Sequence, residues 1–465
     1  MTVPIARRRA LLLCALATPL SACERAGARA APALLSPQQL HEDLAQWRQA
    51  VLLRHPRFHG QERLDDALES AFARTALALT APLSHQQAFA QLARINPFLL
   101  DAHTLLMPWL DGRSPEPALR DRQFRFGVRL DPDGALRLRS GWRRARDGLE
   151  LAAGTRVLDI NGQPIDAVLQ ALEACSHGET AALRRHMLAL MWPQWLHAVL
   201  GWQGDFNLRV QAAADAPAEL ALQAGEAWVP TRPPVALPVL QPLSPGAAWL
   251  RVPTFDVDED PAAFKRAVAA AFAQLRRQRI EYLVIDVRGN TGGQSEAGAE
   301  IIRPLIDRPV QQVARARERL NADNNGWLGY RGPPGSMREL DLASDGVIEP
   351  LPAAERWRGR AVVLVDEMTY SAAILFATTL QDQRLARLVG RATGGHGNQT
   401  GNMMPTRLRH SGFTAFIATR DFIRPSGDTR AQPVRPDIEV GAAATATGDQ
   451  DPVVQRALEA LREGR

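Results

Sequence analysis

The hydrophobic pattern divides the chain into three regions with different predicted structures. Between residues 37 and 110, apolar residues recur at helical spacing and stop at proline-containing turns, which predicts a small helical domain. Between residues 120 and 228, short strands and polar turns alternate, and a strand, the turn Asn161–Gly162 and a helix follow one another in residues 155–174. From residue 246 to 443, apolar β-branched runs alternate with amphipathic segments, which predicts an α/β domain with a parallel or mixed sheet.

Linker-like segments separate these regions. Residues 24–36 are rich in small residues and proline, and residues 229–245 are rich in proline, which is typical of extended spacers. Residues 444–465 form a tail in which residues 451–461 are predicted as a surface helix.

Residues 1–23 have the order of a bacterial export signal. Three arginines at positions 7–9 precede an apolar stretch, residues 10–20, that is too short for a stable membrane anchor. The LSAC sequence that follows resembles a lipoprotein signal, which implies cleavage before Cys23 and lipid attachment to it; an ordinary secretory signal is the alternative. We expect an exported protein of the cell envelope or periplasm. The resemblance to lipoprotein signals implies the outer membrane, because Glu24 rather than an aspartate follows the cysteine.

Composition narrows the chemistry. Of three cysteines, one lies in the signal and Cys23 would carry lipid, so Cys175 has no partner for an internal disulfide. The net charge of +5 is spread along the chain, which argues against nucleic-acid binding. The histidines form no pair at metal-ligand spacing, so no metal site is predicted. Lys265 is the only lysine, and its amphipathic helix indicates a solvated surface position.

Ser371 lies at the turn between an apolar strand, residues 361–365, and a helix that begins at Ala372. Unpaired N–H groups at the amino end of a helix stabilise a developing negative charge, so this is a suitable position for a nucleophile. Serine is also a common N-cap residue, and the local sequence by itself favours that structural role.

A second strand, in residues 282–293, ends in a glycine turn. Gly292 and Gly293 allow the backbone to approach a substrate closely, and their N–H groups are candidates for stabilising an oxyanion. No phosphate-binding glycine pattern is present, and an ordinary βα turn is the structural alternative.

In the first region, His103 follows a helix-breaking turn and precedes a strand-like run. Taken alone, it is more typical of a structural histidine.

Taken together, the motifs resemble a known family. They occur in the order DAHTLL, GTRVLDINGQPI, LVIDVRGNTGG, LVDEMTYSAAILFA, VGRATGG and VRPDIEV. Over residues 37–440, the chain resembles the C-terminal-processing and tricorn-type serine peptidases. Within this family it resembles the lipoprotein-like members, which have a helical N-terminal domain. This resemblance implies a ClpP/crotonase-like α/β catalytic domain, a PDZ-like module that docks extended peptides, and Ser371 as nucleophile.

The family resemblance also implies the general base. Processing peptidases use a lysine some twenty residues after the serine, but residues 391–401 contain His396 and no lysine. Tricorn-type members use a histidine in a segment that matches DAHT, which makes His103 the expected base. The implied oxyanion donors are the N–H groups of Ala372 and Gly292, with Gly293 as the one-residue alternative. No organic cofactor is implied.

The chain departs from the family pattern at the orienting acid. Arg430 stands where tricorn-type members have a glutamate, and Asp428 and Asp101 are both candidates for its role. Ile374 stands where the family commonly has a further acid, three residues after the serine.

From the family resemblance we expect an exported serine peptidase acting on peptides or proteins. The alternatives are a weakly active or inactive peptide-binding lipoprotein and an esterase using the same serine.

Overall fold

The computed structural model describes residues 34–109, 122–131, 133–212, 215–231, 237–326, 331–342, 346–441 and 451–463. The predicted signal, Cys23 and most of the first linker lie outside the described residues. Within those ranges, no helix is long and apolar enough to cross a membrane. The helices are α1 (Pro37–Arg54), α2 (Asp66–Ala78), α3 (His85–Leu92), α4 (Asn96–Leu99), α5 (Ile165–Glu173), α6 (Ala181–Leu190), α7 (Trp192–Leu200), α8 (Pro261–Arg277), α9 (Ser295–Ile302), α10 (Ala372–Asp382) and α11 (Pro452–Arg462). Short 3₁₀ helices span Pro56–Phe58, Ala93–Ile95 and Arg303–Leu305.

Helix α1 begins and ends where the sequence predicts. The Ser36 hydroxyl accepts the Gln39 N–H while the Gln39 side chain accepts the Ser36 N–H, and a proline occupies the first helical position. The helix ends at His55, since Pro56 disfavours a helical conformation in the residue before it. Helices α1 to α4 confirm the predicted helical segments of the first region.

The middle region contains two antiparallel sheets. The larger has the order β2 (Val128–Leu130), β3 (Leu136–Leu138), β6 (Arg156–Ile160), β8 (Phe206–Gln211) and β9 (Ala218–Leu222), with β7 (Gln163–Pro164) paired to β6. The smaller contains β4 (Trp142–Arg144), β5 (Glu150–Leu151) and β10 (Trp228–Pro230).

The strand, turn and helix predicted for residues 155–174 are present in the middle region, and Asn161 and Gly162 have φ values of 54° and 76°. The likeness of this region to a PDZ domain remains a prediction. Helices α5, α6 and α7 are inserted between β7 and β8. One apolar core joins this region to the N-terminal helices, with Trp47, Phe89, Trp195 and Phe206 all buried in it.

The α/β region is built on a six-stranded sheet in the order β11 (Val239–Ser244), β12 (Ala247–Arg251), β13 (Tyr282–Asp286), β18 (Arg360–Val365), β19 (Arg387–Gly390) and β22 (Ile438–Glu439). All neighbours are parallel except β11 and β12, so the predicted parallel layout carries one antiparallel edge. The likeness of this domain to ClpP or crotonase remains a prediction.

A five-stranded antiparallel sheet lies beside the α/β sheet and contains β1 (Leu105–Leu106), β15 (Arg315–Arg319), β16 (Met337–Glu339), β20 (Gln399–Arg407) and β21 (Thr414–Ile423). A small ribbon pairs β14 (Val310–Gln311) with β17 (Val347–Ile348). Strand β21 pairs with β1 from the N-terminal region. The five-stranded sheet therefore connects the two ends of the chain.

Helices cover both faces of the parallel sheet. Apolar residues of α8, α9 and α10 pack on one face, and α11 packs on the other through Val453, Val454, Ala457 and Leu461. The predicted C-terminal helix is present, but one side of it is buried because it covers a sheet face. Strands β13 and β18 are adjacent and parallel, with Asp286 opposite Leu364. The turns that follow these two strands therefore lie side by side.

Candidate active site

The turn after β18 holds Ser371 in a strained conformation. Its backbone has φ 53° and ψ −124°, which non-glycine residues rarely adopt and which costs about 1 to 3 kcal/mol. Asp366 stabilises the turn because its Oδ1 accepts the N–H groups of Met368 and Thr369, each at 3.0 Å. The same oxygen accepts the Gly289 N–H at 3.0 Å and so ties the two neighbouring turns together.

The Ser371 hydroxyl does not cap helix α10. Its side chain makes no capping hydrogen bond, and its Oγ lies 3.0 Å from His103 Nε2. The Ser371 carbonyl accepts the Gln399 side-chain amide at 3.0 Å, which helps to fix the turn. The N-cap role that the local sequence favours is therefore wrong, and the serine is oriented toward a base.

His103 is buried in the loop between α4 and β1. The loop begins at Leu100, which has a left-handed backbone with φ 51°, and it ends where Leu105 pairs with Phe416 of β21. This pairing brings a residue of the N-terminal region to the α/β region. The two groups that the sequence predicts as nucleophile and base are adjacent, although they are 268 positions apart.

Asp101 holds the histidine loop. Its Oδ1 accepts the His103 N–H at 2.8 Å and the Thr400 hydroxyl at 2.7 Å, and its Oδ2 accepts the Thr104 hydroxyl at 2.8 Å. Oδ2 also lies 2.8 Å from His55 Nε2, which is the donor because His55 Nδ1 accepts the Arg57 N–H. Burial alone would raise the pKa of Asp101, but these partners hold it well below its usual range.

Asp101 is thus an anchor for the main chain. Its Oδ1 is 3.8 Å from His103 Nδ1, which is beyond hydrogen-bond distance. The other predicted acid, Asp428, forms a close ion pair with Arg430 at 2.6 Å and makes no hydrogen bond to His103. The prediction that Asp428 orients the histidine is therefore wrong, because an arginine two residues away engages its carboxylate.

Tyr370 occupies the position beside His103 where an orienting acid was expected. Its Oη lies 3.0 Å from His103 Nδ1, and the two rings stack with centroids 4.9 Å apart. The same Oη donates to Glu179 Oε1 at 3.0 Å. Burial and then the negative charge of Asp101 raise the pKa of Glu179 to about 8, and burial raises the pKa of Tyr370 well above its usual value. The sequence interpretation missed both residues; only the adjacency of Tyr370 to Ser371 was a signal.

The glycine turn supplies one of its two candidate N–H groups. The Gly292 N–H already donates to Asn290 Oδ1 at 2.9 Å, so the preference for Gly292 as oxyanion donor is wrong. Gly293 and Phe255 form a parallel β-bridge. In this bridge the Phe255 N–H donates to the Gly292 carbonyl, and the Gln294 N–H donates to the Phe255 carbonyl. The Gly293 N–H therefore faces away from Phe255 and donates to no acceptor among the described residues.

Gly292 instead provides the space for a close approach. A Cβ at this position would lie 2.7 Å from the Ser371 Cβ and 2.8 Å from the Ala372 nitrogen. The Ala372 N–H, at the first position of α10, donates to no acceptor within the described ranges. Two backbone donors next to the serine are thus available to an incoming oxygen.

A cavity of about 300 Å³ opens in front of these groups. Its lining includes His103, Ser371, Gly293, Leu375, Gln399 and Phe422. Strand β20, which contributes Gln399 to Asn402 to this lining, pairs only with β21 in the part of the chain that the structure describes. The opposite edge of β20 therefore has unpaired backbone groups beside the cavity.

Among the described residues, no cluster of three or more histidine, cysteine, aspartate or glutamate side chains is arranged for a metal ion. Lys265 lies on the surface and pairs with Glu300 at 3.2 Å. His396 forms a backbone bridge with Pro433, and the imidazole that is hydrogen-bonded to Ser371 is that of His103.

A histidine hydrogen-bonded to a serine in a strained strand-to-helix turn, beside free backbone donors, is the arrangement of a serine-type peptidase. Residues 246–440, which span the α/β region, match the family model described as Peptidase family S41. The family resemblance seen in the sequence motifs is thereby confirmed.

One relative and two solved structures are similar to this chain. A segment of 160 residues is 31% identical to the chloroplastic C-terminal processing peptidase of Tetradesmus obliquus, and the match covers 33% of this chain and 28% of that protein. The crystal structure of mature CPAF is 17% identical, with a TM-score of 0.60, over 87% of this chain and 92% of that chain. Mature CPAF complexed with lactacystin gives a TM-score of 0.61 at 17% identity, over 92% and 97%. At this identity the structural matches show the fold.

Proposed function

We propose that this protein is a serine peptidase that cleaves peptide bonds through an acyl-enzyme on Ser371, with His103 as the general base. The observation that carries the proposal is the 3.0 Å contact between His103 Nε2 and Ser371 Oγ. It is made by a serine whose backbone is strained and whose hydroxyl leaves the helix end uncapped. A structural N-cap serine requires neither feature, whereas both are expected of a positioned nucleophile.

The proposed reaction has two stages. In the first, Ser371 Oγ forms a bond to the carbonyl carbon of the substrate while its proton moves to His103 Nε2. The carbonyl oxygen becomes negatively charged and accepts hydrogen bonds from the N–H groups of Ala372 and Gly293. The C–N bond then breaks, and His103 returns the proton to the leaving amine. In the second stage, water attacks the ester in the same way and releases Ser371.

The substrate that best fits the site is an extended peptide. Strand β20 presents a free edge along the cavity, and a peptide added to that edge would place its carbonyl groups close to Ser371. Leu375 and Phe422 provide apolar surface in the cavity. The name of the Tetradesmus relative describes processing of C-termini, and we propose that this chain likewise acts on peptides or proteins.

The test is labelling with a fluorophosphonate probe that reacts with activated serines. Wild-type protein is expected to be labelled and to cleave a library of unstructured peptides. Ser371→Ala is expected to abolish both activities, and His103→Ala to reduce them by at least about 1,000-fold. Ser295→Ala is the matched control, since Ser295 also lines the cavity and also begins a helix.

The alternatives give different results in the same experiment. Labelling with turnover of small esters but without peptide cleavage would support an esterase. Peptide binding without labelling would support an inactive peptide-binding protein. Equal labelling of wild type and His103→Ala, with loss in His396→Ala, would assign the base to the other histidine.

We further propose that the protein is exported and lipid-anchored through Cys23 to the cell envelope. The supporting observation is the order of basic, apolar and small residues before that cysteine. Expression with an alkyne-tagged fatty acid is expected to label wild type and not Cys23→Ala. A released, unlabelled wild-type protein would support an ordinary secretory signal instead.

A further inference from the structure

The catalytic histidine needs a group that holds its ring and fixes its protonation, and neither acid considered from the sequence does so. We propose that Tyr370 and Glu179 form this positioning pair, with Tyr370 accepting the Nδ1–H of His103 and Glu179 orienting the tyrosine hydroxyl. The inference rests on the proposed function of His103 as base. It assigns a role to a carboxylate of the middle region.

The direction of the hydrogen bonds follows from the donors present. Tyr370 has one hydroxyl hydrogen, and its Oη donates that hydrogen to Glu179 Oε1 at 3.0 Å. The lone pairs of the same oxygen are then left to accept from His103 Nδ1, also at 3.0 Å. With the proton on Nδ1, the Nε2 atom carries a lone pair directed at Ser371, which is the tautomer that a general base requires.

Asp101 does not compete for the Nδ1 proton. Its two oxygens already accept hydrogen bonds from four groups: the His103 and His55 donors and the hydroxyls of Thr104 and Thr400. It lies 3.8 Å from Nδ1, compared with 3.0 Å for the tyrosine oxygen. Asp101 therefore fixes the main chain of the loop, and Tyr370 fixes the ring.

The charge of Glu179 is placed to act when His103 becomes positive. Burial and then the charge of Asp101 raise the pKa of Glu179 to about 8, so the free protein carries the carboxylate in only part of its population near neutral pH. Proton transfer from Ser371 creates an imidazolium on the other side of Tyr370, and a Glu179 that is already ionised stabilises that cation with no further proton transfer. The pair thus interacts more strongly with the transition state than with the resting state. No proton needs to leave Tyr370 in this role.

The segment that carries Glu179 is fixed against the catalytic region. The hydroxyl of Thr180, the N-cap of α6, donates to the Gly394 carbonyl at 2.7 Å. On the other side, the Ser176 hydroxyl donates to the Arg184 carbonyl at 2.7 Å. The Ser176 contact fixes the start of this segment to α6, and the Thr180 contact joins α6 to the loop after β19. The position of the middle region therefore determines whether Glu179 reaches Tyr370.

The first experiment compares variants that keep the side-chain shape. Tyr370→Phe retains the ring that stacks on His103 and removes the acceptor, so kcat for peptide cleavage is expected to fall about 10- to 100-fold. Glu179→Gln removes only the charge and is expected to lower kcat about 10-fold. Tyr282→Phe and Glu219→Gln are the matched controls, because Tyr282 begins β13 and Glu219 is exposed on β9, and both are expected to leave kcat unchanged.

A second readout separates positioning from a loss of fold and does not require activity. In protein labelled with ¹⁵N-histidine, the His103 signals, assigned by their absence from His103→Ala, are expected to show the Nδ1–H tautomer in wild type. In Tyr370→Phe they are expected to shift to a mixture with the Nε2–H form. Thermal unfolding of each variant checks that the fold is retained.

The two proposals fail in different ways. A folded Tyr370→Phe with wild-type kcat and an unchanged His103 tautomer overturns the positioning pair while leaving the peptidase intact. Wild type that shows the Nδ1–H tautomer but is neither labelled nor able to cleave peptides overturns the peptidase proposal and leaves the hydrogen-bond arrangement standing. An Nε2–H tautomer in wild type overturns the assigned hydrogen-bond direction.

Discussion

The turn that carries Ser371 and the loop that carries His103 reach the same point of the molecule by different means. The serine turn is determined mainly by local sequence, because the strand before it, the helix after it and the contacts of Asp366 with Met368 and Thr369 lie within a short stretch. Asp366 adds one contact from outside that stretch, the Gly289 N–H of the neighbouring turn. The histidine loop is held from a distance. Asp101 binds His55, 46 positions earlier, and Thr400, 299 positions later.

This difference separates two physical requirements. The proposed nucleophile has a strained backbone, and adjacent strands and helices can impose strain over a few residues. The base must be held in a defined orientation relative to another part of the chain, and that requires contacts across the fold. Damage to the serine turn is therefore expected to abolish catalysis with little loss of stability. Damage to the histidine loop is expected to lower both together.

The largest effect is expected where the two neighbouring turns touch. In Gly292→Ala, the new Cβ would lie 2.7 Å from the Ser371 Cβ, and the backbone φ of 96° is unfavourable for alanine. Displacement of the nucleophile is expected to lower the fluorophosphonate labelling rate about 100-fold or more. The measurement is the labelling rate together with the thermal midpoint.

The control for this change is a glycine of the same turn. Gly289 also has a positive φ, 74°, but a Cβ there would meet no atom within 4 Å. Gly289→Ala is expected to share the backbone cost and to retain most of the labelling rate. If both variants lost labelling equally, backbone strain in the turn and not contact with Ser371 would be the cause.

The histidine loop is expected to respond to Asp101→Asn in both catalysis and stability. The amide keeps the shape but places an NH₂ group against donors, so the free energy of unfolding is expected to fall by about 3 kcal/mol and kcat by about 10-fold. Urea unfolding and peptide cleavage are the measurements. Asp428→Asn, which changes an aspartate whose carboxylate pairs with nearby Arg430, is expected to change neither.

The same variant gives a pH signature. The pKa of Asp101 is held below its ordinary value in the folded state, so its stabilisation is present at neutral pH and is lost as the pH falls below about 4. Asp101→Asn is expected to remove that part of the acid-induced loss of stability. An identical dependence of unfolding free energy on pH in wild type and variant would contradict the assigned role.

The local determination of the serine turn explains how much of the site could be predicted from sequence. The strand over residues 360–365, the helix from Ala372 and the glycine turn follow from hydrophobic pattern and turn chemistry. His103 was identified by its family motif, since nothing in its own segment indicates Ser371. Glu179 was not predictable, because its contact with Tyr370 joins residues 191 positions apart.

The errors in the site have the same origin. Choosing between Gly292 and Gly293 required knowing that Asn290 occupies one N–H, which is a matter of side-chain direction. Asp428 was a candidate for the orienting acid because it lies near a family motif. The hydrophobic and motif pattern did not indicate that its carboxylate pairs with Arg430, two residues away. Spacing along the chain locates turns well, whereas it does not specify which side chains within them already have partners.

A smaller effect is expected in the pH dependence of catalysis. Burial lowers the pKa of His103; the negative charge of Asp101 acts to raise it, and the charge of His55 acts to lower it. Only the neutral imidazole can accept the Ser371 proton. The acidic limb of the kcat/KM profile is therefore expected below about pH 6.5, the ordinary histidine value. Measurement of peptide cleavage between pH 4 and 9 checks this; a limb clearly above pH 7 would show that the charge of Asp101 outweighs burial.

The smallest effect is expected from the contact between Asp101 and Thr400, which are far apart in the sequence. Thr400→Val keeps the side-chain shape but removes the hydroxyl that donates to Asp101 Oδ1 at 2.7 Å, and one hydrogen bond to a charged group contributes about 1.5 to 3 kcal/mol. Because three other donors remain on Asp101, the expected loss is at the lower end, with kcat reduced only a few-fold. Equilibrium unfolding in urea and steady-state cleavage measure the two quantities.

The control lies on the same strand. Thr406 is also buried in β20, and its hydroxyl has no hydrogen-bond partner among the described residues, so Thr406→Val is expected to be neutral. A loss in Thr400→Val alone would show that β20, beside which we place the substrate, also steadies the loop of the base. Equal behaviour of the two variants would mean that the loop is held from the N-terminal side, by His55 and Thr104, and that β20 contributes only its free edge.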